Sequence, residues 1–320
     1  MKFLFVLLLI TLSLIAFVLL VSYICFRIVF FVNRSHDLSA DKITFPEGKI
    51  YEPYYPIMEK WILEARSFHH ENYYIKSHDG LNLHARYFEF EPSAVLEIMF
   101  HGYRGTADRD LIGGVQRCFA LGRNVLLVDQ RTSSESEGKV ISFGINEHRD
   151  CLAWVNFAIN QFGPDIKIVL TGISMGASTV LMAAGKHLPK NVVGVLADCG
   201  FSSPKKIIQK CAKDLHVPEK LIYPFIKLGA KIFGHFDLEE YSPLEAMKTC
   251  KLPVIFFHGE DDDFVPCYMS REMYDACTSP KKLVTIPGAG HGLVYLVDNQ
   301  KYFESVVEFF TENGVETKLW

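Results

Sequence analysis

No lysine- or arginine-rich run and no basic stripe appears in this chain, and its formal net charge is −4. Nucleic-acid binding needs clustered cations to displace the counterions of a polyanion, so the composition argues against that partner class. Cysteine is present but unpatterned. No C-x-x-C pair occurs, and the seven cysteines beyond Cys25 (118, 151, 199, 211, 250, 267 and 277) are odd in number and scattered. Neither a structural zinc nor a disulfide framework follows from such spacing. Several lie in apolar contexts, where a cysteine serves as a small core residue. Internal repeats and low-complexity tracts are also missing, which leaves room for one large α/β domain in the 320 residues.

Charge is absent altogether from Phe3 to Phe26, where Leu, Ile, Val and Phe dominate. A spanning helix needs ~20 such residues. The apolar run resumes at 28–32, so the helix is expected to continue past the bilayer with Arg27 reaching the interface. No Ala-x-Ala-like site lies in 21–26, which favours an uncleaved single-pass anchor over a cleaved signal peptide or a buried core helix. Lys2 and the α-amine flank one end; Arg27, Arg34 and Lys42 flank the other. The positive-inside tendency slightly favours a cytoplasmic catalytic domain.

After the apolar segment the pattern changes. Residues 33–70 read as a juxtamembrane connector with helical spacing over 55–65. Asp79-Gly80 between two alternating runs predicts a hairpin. Short apolar strands then alternate with helical stretches at 110–121, 146–161, 176–187, 266–277 and 299–313. That alternation implies a mostly parallel, doubly wound sheet with an antiparallel edge. About 55 residues separate the strand ending at Ala197 from the one starting at Val254. They are expected to form a small helical cap over 201–250, with an ordinary long crossover as the alternative. The expected division is an anchor at 1–32, the connector at 33–70 and a catalytic domain at 71–320.

The chemistry centres on Gly172-Ile-Ser-Met-Gly176, which follows the strand at 166–171 and precedes a helix-forming stretch. Glycines at the strand-to-helix turn let the serine stand exposed at the tip as a nucleophile. A glycine-flanked serine in an ordinary turn is the alternative. A serine hydroxyl needs a base, and the base needs an acid to fix its tautomer. In such folds the chain order is Ser, acid, His. His291, in the glycine-rich loop 287–292 after the last strand, is the expected base. The acid is expected after the preceding strand, where Glu260, Asp261, Asp262 and Asp263 stand in a row. Asp262 is the choice, and Asp198 after another strand is the runner-up. The oxyanion hole needs two backbone N–H groups, expected from Met175 and from Tyr103 in the loop 101–105. His101 is expected to hold that loop rather than to react.

Taken together these blocks resemble the α/β-hydrolase superfamily, and most closely its bacterial branch with an N-terminal membrane segment, described as esterase-like or serine aminopeptidase-like. The resemblance covers roughly 71–314 and rests on His101-Gly-Tyr-Arg-Gly105, Asp129-Gln-Arg131, Gly172–Gly176, His258-Gly-Glu-Asp-Asp262 with Val265-Pro266, and Gly290-His291-Gly292. The family's His-Gly-x-x-Asp-x-x-Val-Pro pattern falls on Asp262, and its oxyanion position falls on Tyr103. An eight-stranded α/β-hydrolase sheet is implied. One departure is Ser134, at a position where relatives carry glycine. The resemblance implies a serine hydrolase of esters or related acyl bonds, acting on a small-molecule or lipid-like acyl substrate without metal or cofactor. A peptidase-like amide hydrolase and a non-catalytic binding protein are the alternatives.

Overall fold

A computed structural model describes residues 2–33, 43–315 and 317. Arg34 and Lys42, which enter the orientation argument, lie outside the described residues. The chain opens with helix α1 (Lys2–Val29), followed by α2 (Tyr55–Ser67). The Asp79-Gly80 turn joins β1 (Glu71–Lys76) to β2 (Asn82–Phe88) as an antiparallel pair. Strand and helix then alternate through β3 (Leu96–Phe100), α3 (Ala107–Asp110), α4 (Gly114–Ala120), β4 (Asn124–Asp129) and α5 (Glu147–Phe162). The alternation continues with β5 (Ile168–Ile173), α6 (Met175–Ala184) and β6 (Val192–Asp198). Helices α7 (Pro204–Asp214), α8 (Glu219–Phe233) and α9 (Pro243–Met247) intervene before β7 (Val254–Gly259). The chain closes with α10 (Tyr268–Ala276), β8 (Lys281–Ile286), α11 (Val294–Val297) and α12 (Asn299–Glu312).

One eight-stranded sheet runs in the order β1-β2-β4-β3-β5-β6-β7-β8. β2 pairs antiparallel with β4, and the pairs from β4 to β8 are parallel. Helices cover both faces, so the central strands are buried along their length and read as continuous apolar runs. Successive side chains feed opposite cores. Phe256 joins Trp154 and Leu181 on one face, while Phe257 joins Tyr302 and Phe310 on the other. This is the α/β-hydrolase fold.

The helix expected over 110–121 is instead two pieces. Gly113 sits at φ +74° between α3 and α4, and a Cβ there would lie 2.8 Å from the Trp61 ring and 2.9 Å from Tyr295. The chain therefore turns where α2 presses on it. α1 ends at Val29, so the helix carries only a turn beyond Phe26. Its last part is not free of the rest of the protein. Phe26 and Phe30 are buried in an apolar cluster with Phe143, Ile226 and Phe236. Phe30 meets Phe143 and Phe236 edge-on, with ring centroids 5.8 and 5.3 Å away.

Candidate active site

The strand-to-helix turn after β5 is tightly closed. A Cβ on Gly172 would meet the Gly176 carbonyl at 2.2 Å, and one on Gly176 would meet the Phe100 carbonyl oxygen at 2.0 Å. Only glycine permits that approach, which leaves Ser174 at φ +56°, ψ −119°. A non-glycine residue rarely holds such a conformation, and it persists only where the surroundings enforce it. The Ser174 N–H donates to the Asp198 carbonyl at 2.8 Å, tying the turn to the end of β6.

Two further loops deliver their side chains to this point. His291, after β8, places Nε2 2.9 Å from Ser174 Oγ. Its Nδ1 lies 2.7 Å from Asp262 Oδ2. Asp262 follows β7, and its Oδ1 accepts the backbone N–H groups of Phe264 and Val265 at 3.0 and 2.8 Å. Burial alone would raise the Asp262 carboxyl, but hydrogen bonds from His258 and His291 outweigh it and hold it at about 2. It therefore stays ionised at neutral pH and orients His291. Glu260, Asp261 and Asp263 are exposed around it, as a solvated loop should be. Asp198, the runner-up acid, is buried, and its carboxyl is pushed up to about 6 by desolvation first of all. The His291 ring makes its hydrogen bond to Asp262 instead.

The loop expected to supply an oxyanion donor runs beside the serine: a Cβ on Gly102 would lie 3.4 Å from Ser174 Cβ. Met175 begins α6 on the other side. His101 has the holding role expected of it. Its Nε2 accepts the Gln130 N–H at 3.0 Å, and its Nδ1 faces the Gly102 carbonyl at 2.9 Å. Burial lowers the His101 pKa, which suits a neutral ring that donates at one nitrogen and accepts at the other. Ser134 adopts φ +43°, the left-handed backbone that a glycine would supply there without strain.

Three contacts escaped the reading of the sequence. Tyr51, from the segment before α2, donates its hydroxyl to the His291 carbonyl at 2.9 Å. The Tyr103 hydroxyl donates to the Val29 carbonyl at 2.7 Å. Arg104 donates to the Ile28 carbonyl at 2.7 Å and to that of Phe31 at 3.1 Å. The last carbonyls of a helix have no partner within it, and in α1 residues of the 101–105 loop supply one. No local pattern marks Tyr51, whereas an arginine beside a predicted oxyanion position was visible but had no assigned partner. A cavity of about 690 Å³ opens at Ser174 and His291, with Tyr51, Tyr103, Phe264 and Leu296 on its walls. Thr171, Arg117 and Asp198 give it a polar side.

A model of the prolyl oligopeptidase family matches residues 141–315, more than half of the chain. The chain belongs to the prolyl oligopeptidase family. An uncharacterized Bacillus subtilis protein, YqkD, is 29% identical over 199 residues, which cover 62% of this chain and 65% of that one. Among solved structures, a Pyrococcus furiosus esterase superposes with a TM-score of 0.64 at 22% identity, covering 78% of this chain and 93% of that one. An acylaminoacyl peptidase from Pyrococcus horikoshii superposes at 0.60 and 17% identity, covering 79% of this chain and 43% of that one. The chain is thus a serine hydrolase of the α/β-hydrolase fold, and the solved structures that share this fold include an esterase and an acylaminoacyl peptidase.

Proposed function

We propose that this hydrolase cleaves carboxylic esters or related acyl bonds through Ser174, His291 and Asp262. Ser174 Oγ attacks the acyl carbonyl as His291 Nε2 takes its proton. Asp262 stabilises the imidazolium that forms. The N–H groups of Met175 and Tyr103 receive the oxyanion, and His291 returns the proton to the leaving group. Water then attacks the acyl-enzyme with His291 again as base. No metal or organic cofactor enters these steps. The observation that carries the reading is the chain of contacts from Ser174 Oγ through His291 to Asp262, at 2.9 and 2.7 Å, opening on one cavity.

In this reading residues 1–32 are a single-pass membrane anchor, 33–70 a connector and 71–320 the hydrolase unit, with 201–250 as its cap. The helix Lys2–Val29 is long and apolar enough to cross a bilayer. An anchored site beside an apolar cavity wall suits a lipid-like acyl substrate, which favours esters over peptides. Membership in the prolyl oligopeptidase family supports the second reading, hydrolysis of peptide or aminoacyl amides by the same three residues.

Fluorophosphonate labelling of native membranes holding the wild type or Ser174→Ala tests the nucleophile. Labelling that requires Ser174 is the expected result. Rates on acyl esters of increasing chain length, compared with aminoacyl amides, separate the two substrate classes. A well-folded wild type that neither labels nor hydrolyses would favour a non-catalytic binding role.

A further inference from the structure

We propose that the corner between α7 and α8 is a second membrane contact, seated in the same leaflet that α1 enters, with lipid headgroups and upper acyl chains as its partner. The proposal rests on α1 spanning the bilayer.

The level of the interface is marked on α1 itself. Arg27 donates to the Tyr23 hydroxyl at 3.0 Å, and its guanidinium lies 4.1 Å from the Phe31 ring centroid. An amphipathic tyrosine–arginine pair suits the headgroup layer. The helix from Lys2 to this level has about the ~20 residues that a bilayer core needs.

α8 packs on α1 across that level. A Cβ on Gly229 would lie 2.4 Å from the Ser22 carbonyl oxygen and 3.2 Å from Phe26 Cβ. Phe233 lies 5.2 Å from the Tyr23 ring and 5.9 Å from the Phe26 ring, and Phe236 lies 5.3 Å from Phe30. These contacts advance in the same sense along both segments, so α8 runs in the direction of α1. Its first turns therefore point back towards the membrane-embedded part. Leu221 precedes Gly229 by two helical turns, roughly 12 Å at 1.5 Å per residue. An interfacial helix buries its apolar face to a depth of ~5–10 Å.

The surface at that corner has the matching chemistry. Leu215 is 74% exposed, Leu221 72% and Val217 36%. Exposed Pro224, half-buried Leu228 and exposed Ile232 continue the apolar stripe from Leu221 along α8, beside the face that meets α1. Single exposed leucines need no explanation, but a continuous stripe flanking a membrane span does. Lys213, Lys220 and Lys231 are exposed along it. Neighbouring Lys205, Lys206, Lys210 and Lys227 are paired with acids, whereas these three form no ion pair among the described residues. Their long stems can follow the apolar surface while the ammonium groups reach phosphate oxygens.

The test uses the full chain in nanodiscs, one protomer per disc, with and without brominated acyl chains. Tryptophan is placed at exposed sites by Leu221→Trp, Leu215→Trp, Leu14→Trp in α1, and Tyr74→Trp on the edge strand β1. Leu14→Trp, Leu221→Trp and Leu215→Trp are expected to lose their added emission in brominated discs, and Tyr74→Trp to keep it. Leu221→Trp and Leu215→Trp behaving like Tyr74→Trp, while Leu14→Trp is quenched, would overturn the second contact and leave the anchor standing. Absence of quenching at Leu14→Trp as well would overturn both.

Discussion

Two buried carboxyls beside Ser174 carry opposite pH signatures, and each can be read separately. The Asp262 carboxyl is held at about 2, below the 3.8 of a free carboxyl. A depressed folded pKa adds stability that is complete above the unfolded value and lost as pH falls through the folded one. Asp262→Asn should therefore melt below the wild type at neutral pH, with the gap closing between about pH 4 and pH 2. The Asp198 carboxyl, raised to about 6 by burial, behaves in the reverse way. Its contribution is complete below the unfolded value and is lost as pH rises through 6. Asp198→Asn should gain on the order of 2 kcal/mol over the wild type at pH 7.5 and nothing at pH 4. Melting curves in detergent across this range check both, and equal gaps at all pH values would refute them. For catalysis, Asp262→Asn should lower kcat by roughly 10⁴-fold if Asp262 fixes the His291 tautomer. At this scale much was legible. The Gly-x-Ser-x-Gly turn and the histidine loop carry local patterns, because backbone geometry there demands particular residues. Tyr51 carries none, since a hydroxyl that reaches a carbonyl 240 positions away leaves no local trace.

At the level of elements, the contact between α1 and α8 depends on a missing side chain. Gly229→Ala would gain about 1 kcal/mol of helix propensity. The new Cβ would meet the Ser22 carbonyl oxygen at 2.4 Å, against backbone that cannot give way cheaply. Overpacking of this kind costs ~1–3 kcal/mol, so the clash should win and the melting temperature in detergent should fall. A rise would show that α8 can move away from α1 freely. The loop 101–105 is joined to the same helix by Tyr103 and Arg104. Arg104→Gln releases the Ile28 carbonyl in α1 and the Phe31 carbonyl just beyond it, and loosens a loop that, in the proposed mechanism, aims an N–H group at the reacting carbonyl. Expected is a several-fold loss in kcat with KM little changed, since aim matters most in the transition state. Steady-state rates on a soluble ester read this directly, and an unchanged kcat would mean the loop holds its aim without α1. The pattern of strands and helices was visible in advance because burial on both faces imposes continuous apolar runs. The break at Gly113 was not, because it is set by Trp61 and Tyr295, neither of them near in sequence.

For the molecule as a whole, the N-terminal helix is part of the folded body. Its end supplies Cys25, Phe26 and Phe30 to an apolar cluster that also holds Met175, the residue after the serine. Removing residues 1–32 would expose that cluster and leave Tyr103 and Arg104 without their acceptors. The truncated chain should melt well below the full one and aggregate. Size-exclusion profiles and melting curves of both forms decide, and a monodisperse fragment with an unchanged melting temperature would make α1 a mere tether.

The sequence by itself determined the alternating architecture, the membrane-length helix and the three side chains that meet at the site. Each is written locally: periodicity follows from burial, a helix of spanning length from its apolar run and lack of charge, a serine turn from the room that only glycine leaves. Tertiary structure alone decided that α1 lies along α8, that its last carbonyls are met by the 101–105 loop, and that Tyr51 holds the loop of His291. Those contacts join residues far apart in the chain, and their energy comes from shape and hydrogen-bond geometry that exist only once the sheet has brought the segments together.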